Sequence, residues 1–453
     1  MQRYEKYKDS GVAWIGQIPE HWECKRLGAL LTVFSSKNHT DKPLLSITRE
    51  KGVILRNLDD ETENHNFIPD DLSGYKLIKE GQFGMNKMKA WQGSYGISDY
   101  DGIVSPAYFI FNVAEEIYPK FFHLAIRSKF YVAHFGSASD GVRIGQWDLS
   151  KPRMREIPFF IPPISEQQTI ATFLDDKTAK IDQTIANKQK EIELLKERRQ
   201  ILIQKAVTKG LDDTVPLKDS GVDRIGEIPE HWEVRKLRFD FNLSKGLTIT
   251  KENLTDEGVF CLNYGEIHSK YGFEVNPLVH KLRCVSEEYL LTNSNSLLND
   301  GDFVFADTSE DLEGSGNFTY LNSSETVFAG YHTVIARPKK NIESRFFAYE
   351  FDSPNFRNQV RTKMKGVKVF SITQSILKDL TLWIPPYKEQ IEITEYLDIR
   401  TSKIDQVIVL KQQEIEKLKE YKTVLIDNVV TGKVRVRIKT KTNNQEKLID
   451  GKR

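Results

Sequence analysis

The chain has 453 residues, 28% of them charged and 39% hydrophobic, which suits two or three domains with buried cores and excludes overall disorder. No run approaches the roughly 18 apolar residues of a membrane span, and the start, MQRYEKYKDSGVAWIG, lacks the apolar core of a signal peptide, so a cytoplasmic protein with no membrane partner is expected. A formal charge of +1 makes no global case for nucleic acid, and the scattered cysteines Cys24, Cys261 and Cys284 offer neither a disulfide framework nor a metal site.

The first feature met along the chain is half of a duplication. Residues 9–27, DSGVAWIGQIPEHWECKRL, return at 219–237 as DSGVDRIGEIPEHWEVRKL, with 13 of 19 positions identical at an offset of 210. The Ile-Pro-Glu-His-Trp core predicts a turn into a short helical or extended segment, with Trp22 and Trp232 as apolar anchors. His21 and His231 have no nucleophile or metal ligand repeating beside them, which points to a structural role. After each copy comes a stretch that is not visibly repeated, 28–156 and then 238–379. Apolar runs such as Ile103 to Val113 and Thr326 to Ala336, bounded by Gly, Pro, Asp and Asn, predict strands and turns, while Phe121 to Phe135 and Arg345 to Arg361 predict helices. Each stretch is thus a mixed α and β globule of domain size.

Charge is segregated within these globules. Residues 57–75 carry Asp59, Asp60, Glu61, Glu63, Asp70 and Asp71 with no Lys or Arg, and the next twenty carry Lys76, Lys79, Lys87 and Lys89 against Glu80 alone. Between Ser353 and Leu377 stand Arg357, Arg361, Lys363, Lys365 and Lys368 with no acid.

The globules end in IPFFIPPISEQQ and LTLWIPPYKEQI, where each Pro-Pro stops a strand and a helix without Gly or Pro follows. Ser165 and Gln168 have the spacing of a capping box, whereas Lys388 replaces the Ser in the second copy, whose helix must be capped differently. The first helix, Ser165 to Thr208, would run about 66 Å at 1.5 Å per residue, and 388–431 repeats its pattern 223 positions on. Ile181, Ile185, Ile192, Leu195, Leu202 and Ala206 form a seam of four-three spacing in the first helix, as do Ile404, Ile408, Ile415, Leu418, Leu425 and Val429 in the second. Lys188 and Arg199 interrupt one seam, and Lys411 and Lys422 fall at the same places in the other. The matching seams predict that the helices pair as a spacer; the alternative is two exposed helices, each lying on its own domain. Gly210 and Gly432 sit where the helices should end, and a tail with eight basic and two acidic residues follows from Lys433.

The motifs of an enzyme are missing. There is no GxxxxGK[ST] phosphate loop, no HExxH and no Gly-rich turn of the dinucleotide or S-adenosylmethionine type, and Gly314-Ser315-Gly316 is too isolated to count. Ile384-Pro385-Pro386-Tyr387 is similar to the Asn/Asp-Pro-Pro-Tyr/Phe motif with which amino methyltransferases hold a flipped base, but it lacks the Asn or Asp; Ile161-Pro162-Pro163-Ile164 lacks the aromatic as well. Glu420 to Lys422 belongs to the solvated face of a helix. What remains is a duplicated chain with two different globules, the plan of a bipartite reader.

The IPEHWE motif before each globule, the IPPxxEQ junction after it, and the TAKIDQ and TSKIDQ runs in the helices together resemble the specificity (S) subunits of type I restriction-modification systems, over nearly the whole chain. The resemblance implies a non-catalytic chain with two target-recognition domains, each reading one half of an asymmetric, interrupted double-stranded DNA site. The fold class it implies is α+β: two mixed α/β target-recognition domains separated by two long helices forming an antiparallel coiled coil, with an internal pseudo-two-fold repeat. The boundaries fall at 1–160 and 211–383 for the recognition domains, 161–210 and 384–432 for the helices, and 433–453 for the tail. It implies too that two methyltransferase (M) subunits dock on the helices and carry S-adenosylmethionine, and that restriction (R) subunits using ATP and magnesium join them; no cofactor is expected on this chain. A structural adaptor, and a specificity subunit of a related system without ATP-driven restriction, are the alternatives. Candidate DNA-binding residues are cationic, amide and aromatic positions in Gly-rich segments: Lys87, Lys89, Trp91, Gln92, Tyr95, Arg143 and Gln146 in the first globule, and Tyr331, His332, Lys363, Lys365 and Lys368 in the second.

Overall fold

The computed structural model describes residues 2–57, 68–143, 146–222, 225–364 and 370–436. Two compact units emerge, Met1–Lys188 with Gln412–Arg453, and Gln189–Lys411. Each unit therefore holds one globule, the start of one long helix and the end of the other.

In chain order the strands of the first globule are β1 (Tyr7–Asp9), β2 (Gln17–Pro19), β3 (Glu23–Arg26), β4 (Leu31–Phe34), β5 (Leu45–Thr48), β6 (Gly52–Leu55) and β7 (Lys76–Ile78). They continue with β8 (Phe83–Met85), β9 (Tyr95–Ile97), β10 (Gly102–Val104), β11 (Phe109–Val113), β12 (Ser139–Arg143), β13 (Gln146–Leu149) and β14 (Pro158–Ile161). The helices are α1 (Leu27–Leu30), α2 (Pro119–Ile126), α3 (Lys129–Ser137), α4 (Lys151–Glu156) and the long α5 (Ile164–Lys209). The main sheet has the order β4-β11-β8-β9, and behind it lie the β5–β6 hairpin and the β7–β10 pair, joined by a parallel bridge between Leu44 and Ile103.

The second globule repeats that plan. Its strands are β15 (Leu217–Asp219), β16 (Glu227–Pro229), β17 (Glu233–Lys236), β18 (Phe241–Lys245), β19 (Val259–Leu262), β20 (Phe273–Val275), β21 (Arg283–Val285) and β22 (Leu297–Leu298). Then come β23 (Phe303–Ala306), β24 (Thr308–Ser309), β25 (Phe318–Leu321), β26 (Val327–Ala329), β27 (Thr333–Pro338), β28 (Phe370–Ser371) and β29 (Thr381–Ile384). The helices are α6 (Leu237–Asp240), α7 (Tyr264–Ser269), α8 (Tyr289–Thr292), α9 (Ser344–Asp352), α10 (Pro354–Lys363), α11 (Gln374–Lys378) and the long α12 (Tyr387–Val430). Here the sheets are β18-β27-β23-β25-β20 and β21-β19-β26-β22. In pairing order β18, β27, β23 and β25 stand for β4, β11, β8 and β9, and β19 meets β26 in parallel as the chain just before β5 meets β10. β20 is an addition.

Central strands alternate between two cores. Phe303 and Phe305 of β23 pack with Phe241, Phe318 and Phe351, while Val304 and Ala306 pack with Leu262, Val327 and Ile335. This is the two-residue period of a strand covered on both faces, which is why these segments read as unbroken apolar runs. The helical stretches expected at Phe121 to Phe135 and Arg345 to Arg361 are each two helices. The second break has a plain cause: Ser353 caps α10 by accepting a hydrogen bond from the Phe356 N–H at 3.4 Å, and Pro354 supplies its first residue.

In each repeated Ile-Pro-Glu-His-Trp segment a short strand ends at the Pro and the chain turns at Glu-His, and each is a joint between two helix ends. In the first unit His21 Nε2 lies 2.7 Å from Glu166 Oε2 and Trp22 Nε1 donates to Glu166 Oε1 at 3.4 Å, in the first turn of α5. Gly432, just past α12 with φ 72°, packs its Cα side against Pro19 and Trp22. In the second unit His231 and Trp232 meet Glu389 of α12 at 2.8 and 3.1 Å, and Gly210, with φ 71° just past α5, faces Glu389 and Trp232. The start of each helix is tied by Gln167 or Gln390 rather than by a Ser165–Gln168 capping box, since α5 already begins at Ile164. The Gln167 amide donates to the carbonyls of Glu116 and Pro162 and accepts from Tyr118 N–H; Gln390 donates to Pro385 and accepts from Glu343 N–H.

Along the helices Ile181, Ile192, Ala206, Ile415, Leu425 and Val429 are buried, and Ile185, Leu195, Leu202, Ile404, Ile408 and Leu418 are half-buried. In the first unit Ile181 and Ile185 share a core with Leu418, Leu425 and Val429. The cations that interrupt the seams reach acids on the facing helix. Lys188 meets Glu414 and Lys422 meets Asp182 in the first unit; Lys411 meets Glu191 and Arg199 meets Asp405 in the second. Within each unit the partner numbers on α12 fall as those on α5 rise, 422 to 414 against 182 to 188 and 411 to 405 against 191 to 199, so the two helix segments run antiparallel, and the four pairs form two sets related by the 223-residue repeat. Among the described residues no helix is long and apolar enough to cross a membrane, and no three His, Cys, Asp or Glu side chains cluster as a metal site.

Candidate nucleic-acid interface

Each unit opens a groove at the same place in its fold. In the first unit the walls are β5 with the turn after it, the β8–β9 connection and the β10–β11 connection. They enclose about 670 Å3 lined by residues that include Arg49, Glu50, Arg56, Tyr75, Asn86, Lys89, Gln92, Ser94 and Tyr108. In the second unit the walls are α7 directly after β19, the β23–β25 connection and the β26–β27 connection. They enclose about 570 Å3 lined by Tyr264, His268, Thr308, Ser309, Glu310, Asp311, Asn317 and His332 among others.

The chemistry of the two grooves differs. The first is cationic, with Arg49, Arg56 and Lys89 against Glu50. Among the described residues the side chains of Arg49, Lys89 and Gln92 have no hydrogen-bond or ionic partner. Behind them burial, and then repulsion from Lys37, Lys87 and Lys151, lowers the pKa of Lys76, whose ammonium donates to the Tyr108 carbonyl at 2.7 Å. Asn86 donates to the Tyr108 hydroxyl at 3.3 Å, and burial raises the pKa of that phenol. The donors of Arg49, Lys89 and Gln92 match base acceptors and phosphate oxygens.

The second groove is acidic and imidazole-lined. His268 Nε2 lies 2.8 Å from the Thr308 carbonyl and must donate to it, so its Nδ1 accepts from Asn317 Nδ2 at 2.9 Å and the ring is neutral. Asn317 Oδ1 accepts from Arg357 at 2.9 Å. His332 takes φ 55° and places Nδ1 3.2 Å from Asp307 Oδ1, and Tyr264 stands edge-on to it with ring centres 5.3 Å apart. The exposed Glu310 is an acceptor of the kind that pairs with a base amino group.

The candidates named from sequence scatter around these grooves. Lys89 and Gln92 line the first and His332 the second. Lys87 is held by Asp148 at 2.9 Å, outside the lining, and Trp91 packs on Trp147 with ring centres 5.1 Å apart. Tyr95 is a correction: its side chain is fully buried against Phe83 and Phe135 and cannot meet a base. Arg143 and Gln146 face one another across the β12–β13 ladder, and their side chains lie outside the described residues. Tyr331 is half-buried behind Tyr264, at 5.4 Å, so Tyr264 is the aromatic wall. The basic run from Arg357 is dispersed. Arg357 binds Asp352 and Asn317, Arg361 donates to the Glu313 carbonyl, and Lys363 donates to the Asp379 carbonyl beside Lys236. Lys365 and Lys368 lie outside the described residues. Arg49, Arg56, Asn86, Tyr108, Tyr264, His268, Glu310 and Asn317 were missed. They sit in connections whose meeting only the strand pairing reveals.

Two unlike grooves on one repeated plan define a two-headed binding protein. The family model described as the type I restriction modification DNA specificity domain matches residues 19–194 and again 229–420. The chain belongs to that family and carries its domain twice. It is 25% identical over 436 residues to the type I restriction enzyme MjaVIII specificity subunit of Methanocaldococcus jannaschii, covering 93% of this chain and 95% of that one. It is 27% identical over 281 residues to the EcoKI specificity subunit of Escherichia coli strain K12, covering 60% and 56%. The fold is shared with a chain from a type I R-M system described for its complex assembly and conformational transition, at TM-score 0.69 and 15% identity over 92% of this chain and 99% of that one. It is shared also with the HsdS subunit from Thermoanaerobacter tengcongensis, at TM-score 0.52 and 16% identity over 92% and 98%. This is a DNA sequence-specificity subunit and not a catalytic chain.

Proposed function

We propose that the first groove reads one half of an asymmetric double-stranded DNA site and the second groove reads the other half. The observation that carries this reading is that three topologically equivalent connections build both grooves while their side chains differ in charge and hydrogen-bonding sense, as two readers of different base sequences require. Methyltransferase subunits, one for each half of the repeat, dock on the helical pairs and bring S-adenosylmethionine. Restriction subunits that use ATP and magnesium complete the assembly. The names of the relatives as type I restriction enzyme specificity subunits support that setting.

The test is exchange of residues 28–156 for the matching segment of a relative, followed by methylome sequencing of cells carrying the intact system. One half of the modified site should change and the other should stay. A change in both halves, or in neither, would overturn the assignment. The helices set the gap between the halves, so four residues inserted between Thr178 and Asp182 add about 6 Å of helix and should lengthen the unspecified gap by about one base pair. Modification at the original spacing would show that the helices are not the ruler.

A further inference from the structure

The two walls of the first groove are bolted together by one side chain that does not itself line it. Arg127 follows α2 at the break before α3. Its Nη1 donates to the carbonyls of Gly93 at 3.2 Å, in the β8–β9 connection, and of Tyr95 at 2.6 Å, where β9 begins. Its Nη2 donates to the carbonyls of Arg49 and Glu50, both at 2.8 Å, in the β5–β6 turn. The joint is tight. A Cβ on Gly96 would lie 3.0 Å from the His123 ring and 3.3 Å from the Gly52 Cα, so turn and strand are already in backbone contact. His123 accepts from the Ile97 N–H at 3.2 Å, and burial lowers its pKa to about 4, leaving the ring neutral beside the guanidinium.

The same helix junction serves the second groove by a different route. Phe121 and Phe122 stand 225 positions before Phe346 and Phe347, which places Asp352 in register with Arg127. Asp352 holds Arg357 at 3.0 Å, and Arg357 holds the groove residue Asn317 at 2.9 Å, which in turn fixes His268.

We propose that Arg127 and Arg357 are positioning residues for base discrimination, each fixing the loop that carries the reading side chains of its own groove. The proposal rests on the reading of the grooves as the two half-site readers. Arg49, Lys89 and Gln92 hang from the two segments that Arg127 joins, so their mutual spacing depends on those four hydrogen bonds. Discrimination between bases demands that spacing to within about 0.5 Å. Phosphate attraction does not, because it falls off slowly with distance.

The experiment uses the full chain assembled with its methyltransferase subunits and a pool of randomised duplex DNA, sequencing the bound fraction. Arg127→Lys keeps the charge but has a single nitrogen, too few to span both segments. Its preference against single mismatches should fall about tenfold in one half-site only, with the other half and the salt dependence unchanged. Arg357→Lys should do the same to the opposite half. Either variant leaving its half-site's preferences intact, or weakening both halves alike, overturns the proposal. Should Arg127→Lys fail to fold, Arg357→Lys, whose contacts are two side chains, decides by the same criterion. A wild-type complex that enriches no motif at all would sink the half-site reading itself, which separates that failure from this one.

Discussion

The two units agree at their joints and part at their grooves. His21, Trp22, Glu166 and Gly432 are matched by His231, Trp232, Glu389 and Gly210, and the His-to-Glu distances are 2.7 and 2.8 Å. At least 37 residues from those joints, the connection that carries Lys89 is answered by the one that carries Glu310, Arg127 by Asp352 and Ala125 by Glu350, although the strands around them pair in the same order. A joint must fit the two ends of a repeated helix, whose residues are alike, so its own residues stay alike. A groove answers to whatever it binds, and a shared backbone plan leaves its side chains free to differ.

The agreement at the joints is open to direct attack at the two glycines. Both hold a positive φ that costs an L-residue about 1 kcal/mol or more. A methyl group on Gly432 would also fall 2.4 Å from the Pro19 ring, which cannot swing away, whereas on Gly210 it would meet the Glu389 carboxylate at 2.9 Å, the end of a flexible side chain. Gly432→Ala should therefore cost about 3 kcal/mol and Gly210→Ala about 2 kcal/mol in urea unfolding of the full chain. Equal losses would mean that the proline side of the joint yields as easily as the carboxylate side.

Glu350 tests the divergence of the cores. The first unit has Ala125 at this position, but Glu350 is fully buried beneath β29, accepts from the Trp383 N–H at 3.0 Å and leaves its second oxygen without a partner among the described residues. Burial first, with repulsion from Asp240, raises its pKa well above the ordinary carboxylate value. The folded chain thus keeps a proton that the unfolded chain gives up above about pH 4.5, so this group lowers stability as pH climbs from there toward its folded pKa. Glu350→Gln should unfold at a higher temperature than wild type at pH 8 by the equivalent of about 1 kcal/mol or more, with the advantage shrinking toward pH 4. An advantage that grew on acidification would show that the carboxylate is ionised in the folded unit.

What the sequence showed follows from how local each signal is. The duplicated Trp, the Pro-Pro stops, the helix-end glycines and the two seams are carried by neighbours in the chain or by one helical period, so they could be read directly. The acids that answer Lys188, Arg199, Lys411 and Lys422 lie more than two hundred residues away, and nothing but the antiparallel register brings them together. The grooves fail to show for the same reason: each is assembled from three connections far apart in sequence. Tyr95 misled because it sits between Gly93 and Gly96 in a polar loop, yet β9 begins at that residue and turns it into the core. Lys363 misled because charge density along a helix does not say which carbonyls its cations already hold.

The smallest expected effect lies in the helix ion pairs, where the two units are nearly but not wholly equivalent. Lys422 meets Asp182 at 2.7 Å, and that pair is 30% and 56% exposed. Its counterpart Arg199 lies 3.3 Å from Asp405, and the guanidinium, 23% exposed, also stands 3.8 Å from Asp352. Half-exposed pairs of this kind contribute about 0.5 kcal/mol once side-chain ordering and salt screening are set against the attraction. A double-mutant cycle on Lys422→Ala and Asp182→Ala should therefore return a coupling of about 0.5 kcal/mol that fades at 1 M salt. The cycle on Arg199→Ala and Asp405→Ala should return a similar coupling, but Arg199→Ala alone should cost more than Lys422→Ala, because it also strips Asp352 of a partner while leaving Arg357 in place. Identical single-mutant losses would show that Asp352 draws nothing from Arg199, and that the recognition globule and the helix pair of the second unit are joined by packing alone at this point.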